Sequence, residues 1–197
     1  KEARIIRGVL PGTTVAEFKE HLGKGSVEQV LNVMDVAAQD VIFIPPGTIH
    51  SAYGGVVVLE VQQNSDCTYR LTDWGRHGLN KKPRTLDVEK AMSGTDFYSM
   101  GVSKYKPSRI LGFSYRRKLL IKCEKFTMET IELGRQRVTE KAHPQRFLVH
   151  TIVAGSGKYF YGAKKKEAQP WKKGETYLIP AKLGEYDIQS AGASEIV

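Results

Sequence analysis

Glycine and proline cut this sequence into short runs of β-branched and aromatic residues, and that punctuation constrains the fold more than any other feature. Runs of four to seven such residues suit half-buried strands better than packed helices. The alternation predicts strands over 3–9, 41–44, 56–62, 119–123, 127–133, 147–153, 158–161, 176–179 and 186–189. Helical spacing is confined to a few places. Thr14 is placed to cap a helix through Leu22, with Glu17 at capping-box distance. Ser26 opens a second predicted helix through Val33, where Val27, Val30, Leu31 and Met34 recur at helical spacing, and a third short one spans 86–92. The expectation is a mainly β protein with a few short helices.

The pattern also repeats. Gln39 to Pro45 reads QDVIFIP and Lys173 to Pro180 reads KGETYLIP, and one fixed shift pairs Asp40 with Glu175, Ile44 with Ile179 and Pro45 with Pro180. Each copy has a turn, an apolar strand, a proline stop and a return strand, which points to two related β units. From Arg76 to Lys118 the apolar periodicity fades into Gly, Lys, Pro and Ser, as in a connection. The later unit has strands ahead of its copy, whereas the earlier has only 3–9 and two helices. A small barrel needs such strands to close its edge. Together with a first residue other than Met, this leads to the expectation that the chain is the carboxyl portion of a longer protein.

Thirty Lys and Arg against 21 Asp and Glu give a net charge of +9, compatible with an anionic partner without naming one. Lys164–Lys166 and Arg116–Lys118 are short runs expected in solvated loops, and no nucleic-acid module accompanies them. The longest stretch free of Lys, Arg, Asp and Glu, 41–59, contains Pro45, Pro46, Gly47, Gly54 and Gly55, which excludes a membrane helix there. Cys67 and Cys123 form no CxxC pair or disulfide framework and fit a reducing cytoplasm. Gly155-Ser156-Gly157-Lys158 lacks the glycine spacing of a phosphate loop and carries Tyr159 where Ser or Thr is required, so it reads as a turn.

The densest chemistry lies between Asp40 and Arg76. Pro45-Pro46-Gly47 and Gly54-Gly55 impose turns on either side of His50, which falls on a short return strand. Glu60 sits beside Val56, Val57, Val58 and Leu59, where a carboxylate is costly unless paired or ligated. The polar run Gln62 to Asp66 follows, then Arg70. A single histidine in a strand serves structure as readily as metal, and Glu60 reads equally as a surface partner of Arg70. Zinc takes three or four protein ligands, and the local sequence offers one.

The words IPPGTIH, LEVQQNSDCTYRLTDWGR and RTLDVEKAM are long and idiosyncratic, and they strongly resemble type I mannose-6-phosphate isomerases, zinc enzymes of the cupin superfamily. The resemblance implies two cupin-type, jelly-roll-like β-barrels, the first lacking its amino-terminal strands. Residues 1–100 would be the carboxyl part of the metal-binding catalytic barrel plus a connection, and 101–197 a second, metal-free barrel. It implies an aldose–ketose isomerase interconverting mannose 6-phosphate and fructose 6-phosphate through an enediol(ate), with one Zn²⁺ per full-length chain. By motif, His50 matches the family's last zinc ligand, Arg70 an arginine implicated in catalysis, and Glu60 an acidic residue at the pocket edge. The family's Gln-x-His pair and its Glu ligand find no counterpart in this sequence. His143-Pro144 is similar to the ligand-bearing word but falls in the second barrel, so no role transfers to it. The partner implied is a small sugar phosphate, with neither nucleic acid nor membrane, in the cytoplasm. A degenerate, non-catalytic cupin that binds a sugar or sugar phosphate is the alternative.

Overall fold

A computed structural model describes residues 3–65, 67–98 and 104–197. The chain divides into two compact units, Lys1–Tyr105 and Lys106–Val197. The expected boundary at 100/101 lies outside the described residues.

In the amino-terminal unit, β1 (Arg4–Val9) is the middle of a three-stranded antiparallel sheet, flanked by β2 (Leu31–Asp35) and β3 (His50–Ala52). Helix α1 (Val15–Gly23) follows β1. Its Thr14 side chain accepts from the Glu17 backbone N–H while the Glu17 carboxylate reaches back to the Thr14 N–H, the expected capping box. Phe18 on α1 is fully buried with Ile6, Val27, Val30 and Leu31, and meets Phe97 edge-on at 5.3 Å. The second predicted helix is corrected: Val27–Val30 forms one 3₁₀ turn and the chain then straightens into β2. Val27, Val30 and Leu31 are buried as the periodicity required, but β1 offers Leu31–Asp35 a ladder of backbone partners that a helix would forgo. Helix α2 (Val88–Gly94) replaces the predicted 86–92.

Two predicted strands of this unit are absent. Of 41–44, only Val41 pairs, in a single bridge to Tyr105. Residues 56–62 form no strand; Val57, Val58, Leu59 and Val61 are exposed, because no neighbouring strand pairs with them among the described residues.

The carboxyl-terminal unit carries β4 (Ser108–Ile110), β5 (Arg116–Lys122), β6 (Thr127–Leu133), β7 (Arg137–Lys141), β8 (Leu148–Ala154), β9 (Ser156–Tyr161), β10 (Glu167–Lys172), β11 (Thr176–Ile179), β12 (Glu185–Ser190) and β13 (Ser194–Ile196). They form a four-stranded sheet, β10-β9-β12-β7, and a six-stranded one, β11-β8-β13-β6-β5-β4, in which every pair is antiparallel. Val138, Tyr159, Trp171, Tyr186 and Ile188 from the first sheet share one core with Ile131, Leu133, Ile152, Ile179 and Ile196 from the second. The architecture is mainly β and cupin-like, but two open layers replace the closed barrel expected. The Arg116–Lys118 run is likewise no solvated loop. It lies in β5, where Arg116 and Lys118 pair with Glu132 and Arg117 pairs with Glu129 and Glu140. Gly155 makes the turn between β8 and β9 at φ +83°, a conformation that favours glycine.

Candidate functional site

Thr48 is buried at the end of the Pro45-Pro46-Gly47 turn, and its carbonyl lies 2.9 Å from the Nδ1 of His50. A carbonyl only accepts, so Nδ1 carries the hydrogen and Nε2 keeps a free lone pair, the tautomer a metal-binding imidazole adopts. His50 opens β3 directly opposite Arg7 of β1. The Arg7 guanidinium, 4% exposed, donates from Nε to the Phe43 carbonyl at 3.0 Å, fastening β1 to the segment that leads into the turn. The side chain of His50 itself is exposed.

Arg70 ends the uncoiled stretch that follows. Its carbonyl accepts from the Asp87 N–H at 2.9 Å and its Nη1 donates to the Thr85 carbonyl at 3.4 Å. The word around Arg70 is thereby laid against the RTLDVEK word. Asp73 completes the joint: buried at 6% exposure, it takes a forked ion pair from Arg84, with Nε at 2.6 Å, and a second contact from Arg76 at 3.1 Å. The Arg84 hydrogen bond, helped by both positive charges, holds the Asp73 carboxyl below the usual carboxylate range. Trp74 donates its indole N–H to Glu28 and lies under the Arg76 guanidinium, which is 5.6 Å from its ring.

Glu60 is exposed on the segment without strand pairing, and no ion pair joins it to Arg70. Asp66 of the polar run lies outside the described residues. No hydrogen bond or ion pair links His50, Glu60 and Arg70 to one another among the described residues. Nor do three His, Cys, Asp or Glu side chains come together there as a metal-binding group. Thr48, Arg7, Asp73 and Arg84, which position His50 and Arg70, were not singled out from the sequence. Asp73 and Arg84 lie inside two of the words that carry the resemblance, and their position in those words was the only signal. Arg7 and Thr48 gave none beyond a charge in an apolar strand and a residue beside His50.

No protein-family model matches the chain. It is 29% identical to the mannose-6-phosphate isomerase ManA of Bacillus subtilis over 189 residues, 96% of this chain and 58% of that protein. It is 25% identical to the mannose-6-phosphate isomerase of Streptococcus mutans over 83% of this chain and 50% of that one. Among solved structures, the Bacillus subtilis mannose 6-phosphate isomerase superposes with a TM-score of 0.85 at 28% identity, covering 99% of this chain and 60% of its own. The resemblance to mannose-6-phosphate isomerases holds. The chain spans about half to three-fifths of the length of these relatives. The Salmonella typhimurium mannose 6-phosphate isomerase, a structure bound to fructose 6-phosphate and zinc, shares the fold at a TM-score of 0.67 and 15% identity, over all of this chain and 63% of its own.

Proposed function

We propose that the polypeptide to which these residues belong is a mannose-6-phosphate isomerase, interconverting mannose 6-phosphate and fructose 6-phosphate. What carries the reading is similarity to isomerases of that name along nearly the whole chain, at 29% identity to a curated relative and 28% to a solved structure. Aldose–ketose isomerisation removes a proton beside the carbonyl of the open-chain sugar and returns one to the neighbouring carbon through an enediol(ate). Arg70, its backbone fixed by Asp87 and its neighbourhood braced by Asp73 and Arg84, supplies a permanent positive charge to the enediolate oxygen. Glu60 is the carboxylate for proton transfer or for binding sugar hydroxyls. The phosphate is anchored by basic side chains.

Zinc belongs to this reading through His50, whose free Nε2 fits one place in a zinc shell. One imidazole is not a zinc centre, and the donor set among the described residues falls short of the three protein ligands zinc needs. The steps assigned to Arg70 and Glu60 therefore stand on their own charges.

The test is a coupled isomerase assay on the full polypeptide with metal analysis before and after chelation. His50→Ala is expected to lower zinc occupancy. Arg70→Ala is expected to keep the zinc and lose about 10²-fold or more in kcat/KM, the usual cost of removing one donor to an oxyanion. Tight binding of mannose 6-phosphate with no turnover would transfer the chain to the degenerate, non-catalytic class. Equal loss of zinc in both variants would contradict their separate roles.

A further inference from the structure

From Tyr53 to Asp87 the described residues hold no strand or helix, and a single bridge, His77 to Pro83, is their one ladder contact. Arg70 lies within this stretch, so its place is fixed by side chains and turns rather than by a sheet.

One turn in the stretch carries strain. Trp74 and Gly75 both take left-handed backbone, at φ +49° and +69°, and the Arg76 N–H donates to the Asp73 carbonyl at 2.9 Å across them. Two successive positive φ values closed in this way mark a type I′ turn, whose first central position suits Asn, Asp or Gly. A bulky residue there crowds its Cβ against the following carbonyl. Burial does not explain the choice, because Trp74 is 43% exposed. Asn-Gly would close the same turn without the strain.

What the tryptophan adds is reach. Its indole N–H donates to the Glu28 carboxylate, which stands on the 3₁₀ turn Val27–Val30, and Val27 and Val30 are buried in the core with Phe18. The Arg76 guanidinium lies over the indole at 5.6 Å and meets Asp73 at 3.1 Å. Asp73 in turn grips Arg84, and just beyond it the Thr85 carbonyl accepts from Arg70 and the Asp87 N–H donates to Arg70. The turn therefore has one anchor in the core, through Glu28, and another in the Arg84–Asp87 segment that holds Arg70 at both its carbonyl and its guanidinium.

We propose that the Asp73–Arg76 turn is a strained clasp that positions Arg70, with Trp74 and Glu28 as its positioning residues. The strain is kept because a long donor at position 74 ties this loop to the core, which Asn or Gly would not. The clasp rests on the reading of Arg70 as the charge facing the enediolate, and it supplies that charge with a fixed place.

The experiment follows hydrogen exchange of the Asp87 amide, whose bond reports on Arg70, together with kcat and KM of the full polypeptide. Trp74→Asn and Glu28→Ala are each expected to speed Asp87 exchange about fivefold, the worth of one hydrogen bond, with the amides of β6 unchanged. Both are expected to lower kcat roughly tenfold and leave KM unchanged, because a displaced Arg70 is missed only in the transition state. Glu28→Gln keeps an acceptor for the indole and is expected to retain parental exchange and kcat. Trp74→Asn is expected to melt above Trp74→Ala, which loses the link but keeps the strain, so that activity follows the link and stability follows the backbone. In an Arg70→Ala background, Glu28→Ala is expected to lose no further activity. The clasp is overturned by unchanged Asp87 exchange, by a kcat that survives loss of the link, by Trp74→Asn melting below Trp74→Ala, or by the Glu28→Ala loss persisting in full without Arg70. A parent polypeptide with no isomerase activity would sink the reading of Arg70 instead, and Asp87 exchange would still decide the clasp.

Discussion

Burial pushes the Glu140 carboxyl up to about 7 from its ordinary 4.5, although the Arg117 guanidinium 3.2 Å away pulls against it. His150 in the same unit is displaced the other way, from 6.5 to about 4. Between pH 4.5 and 7 folded Glu140 holds a proton that the unfolded chain has lost, so its contribution to stability falls as pH rises. Between pH 4 and 6.5 the unfolded chain protonates His150 while the folded unit keeps it neutral, so that contribution rises with pH. Over pH 4.5–6.5 the two states bind the same number of protons at this pair, and the slopes cancel. The joint contribution of this pair to the stability read by chemical denaturation is therefore expected to be nearly flat there. Glu140→Gln unmasks a rise with pH and His150→Gln a fall, each roughly 1–2 kcal/mol after discounting for Arg117 and residual water at Glu140. Parallel profiles for the parent and both variants would refute this proton count. Residue-scale features of this kind were hidden in the sequence, because His150 sits in a strand that reads as ordinary alternation, Glu140 in one that the alternation missed, and the burial of both depends on the facing sheet.

Strands legible in the sequence were those whose core face is continuous. Thr127–Leu133 and Thr176–Ile179 fall where the alternation put them. β7 and β10 were missed because RVTEK and EAQPWK carry their buried positions among charges, prolines and amides, with Val138, Glu140 and Trp171 facing inward. The segment 56–62 erred the other way: strong β propensity, but no strand to pair with. Where strands crowd, glycine decides the fit. A Cβ on Gly157 of β9 would run into the Gln189 carbonyl of β12 and the Trp171 ring of β10. Gly157→Ala is expected to cost about 1–3 kcal/mol by overpacking, measurable as a lower unfolding midpoint. An unchanged midpoint would mean that β12 shifts freely to make room. Gly184→Ala is no fair control despite its open surroundings, because its φ of +76° brings its own strain.

At the scale of the molecule, the two-unit reading drew on the echo between QDVIFIP and KGETYLIP; the shift that pairs Asp40 with Glu175 also sets His50 against Glu185, and each of these opens a strand. The first copy of the echo is otherwise not a strand, so the repeat predicted the return strand better than the strand before it. His50, Glu60 and Arg70 were assigned roles through resemblance alone, since nothing in their spacing distinguishes them from a turn histidine and a surface pair. What positions His50 and Arg70 could not be read along the chain: Arg7 reaches Phe43, and Asp73 grips Arg84, across sequence separations that only the fold closes.

The unpaired run from Val56 to Gln62 also sets where the chain is vulnerable. No backbone hydrogen bond ties these residues down among those described, and Val57 stands fully in water. Apolar, exposed and free of any ladder, the run is the kind of untethered segment that a protease cuts first. Brief digestion with an enzyme that cuts beside aliphatic residues should nick the chain first between Val56 and Gln62, separating β1, α1, β2 and β3 from everything after them. Mass spectrometry of the early fragments checks this, and a first cut within β6 or β8 would show the ordered sheets to be the weaker ground.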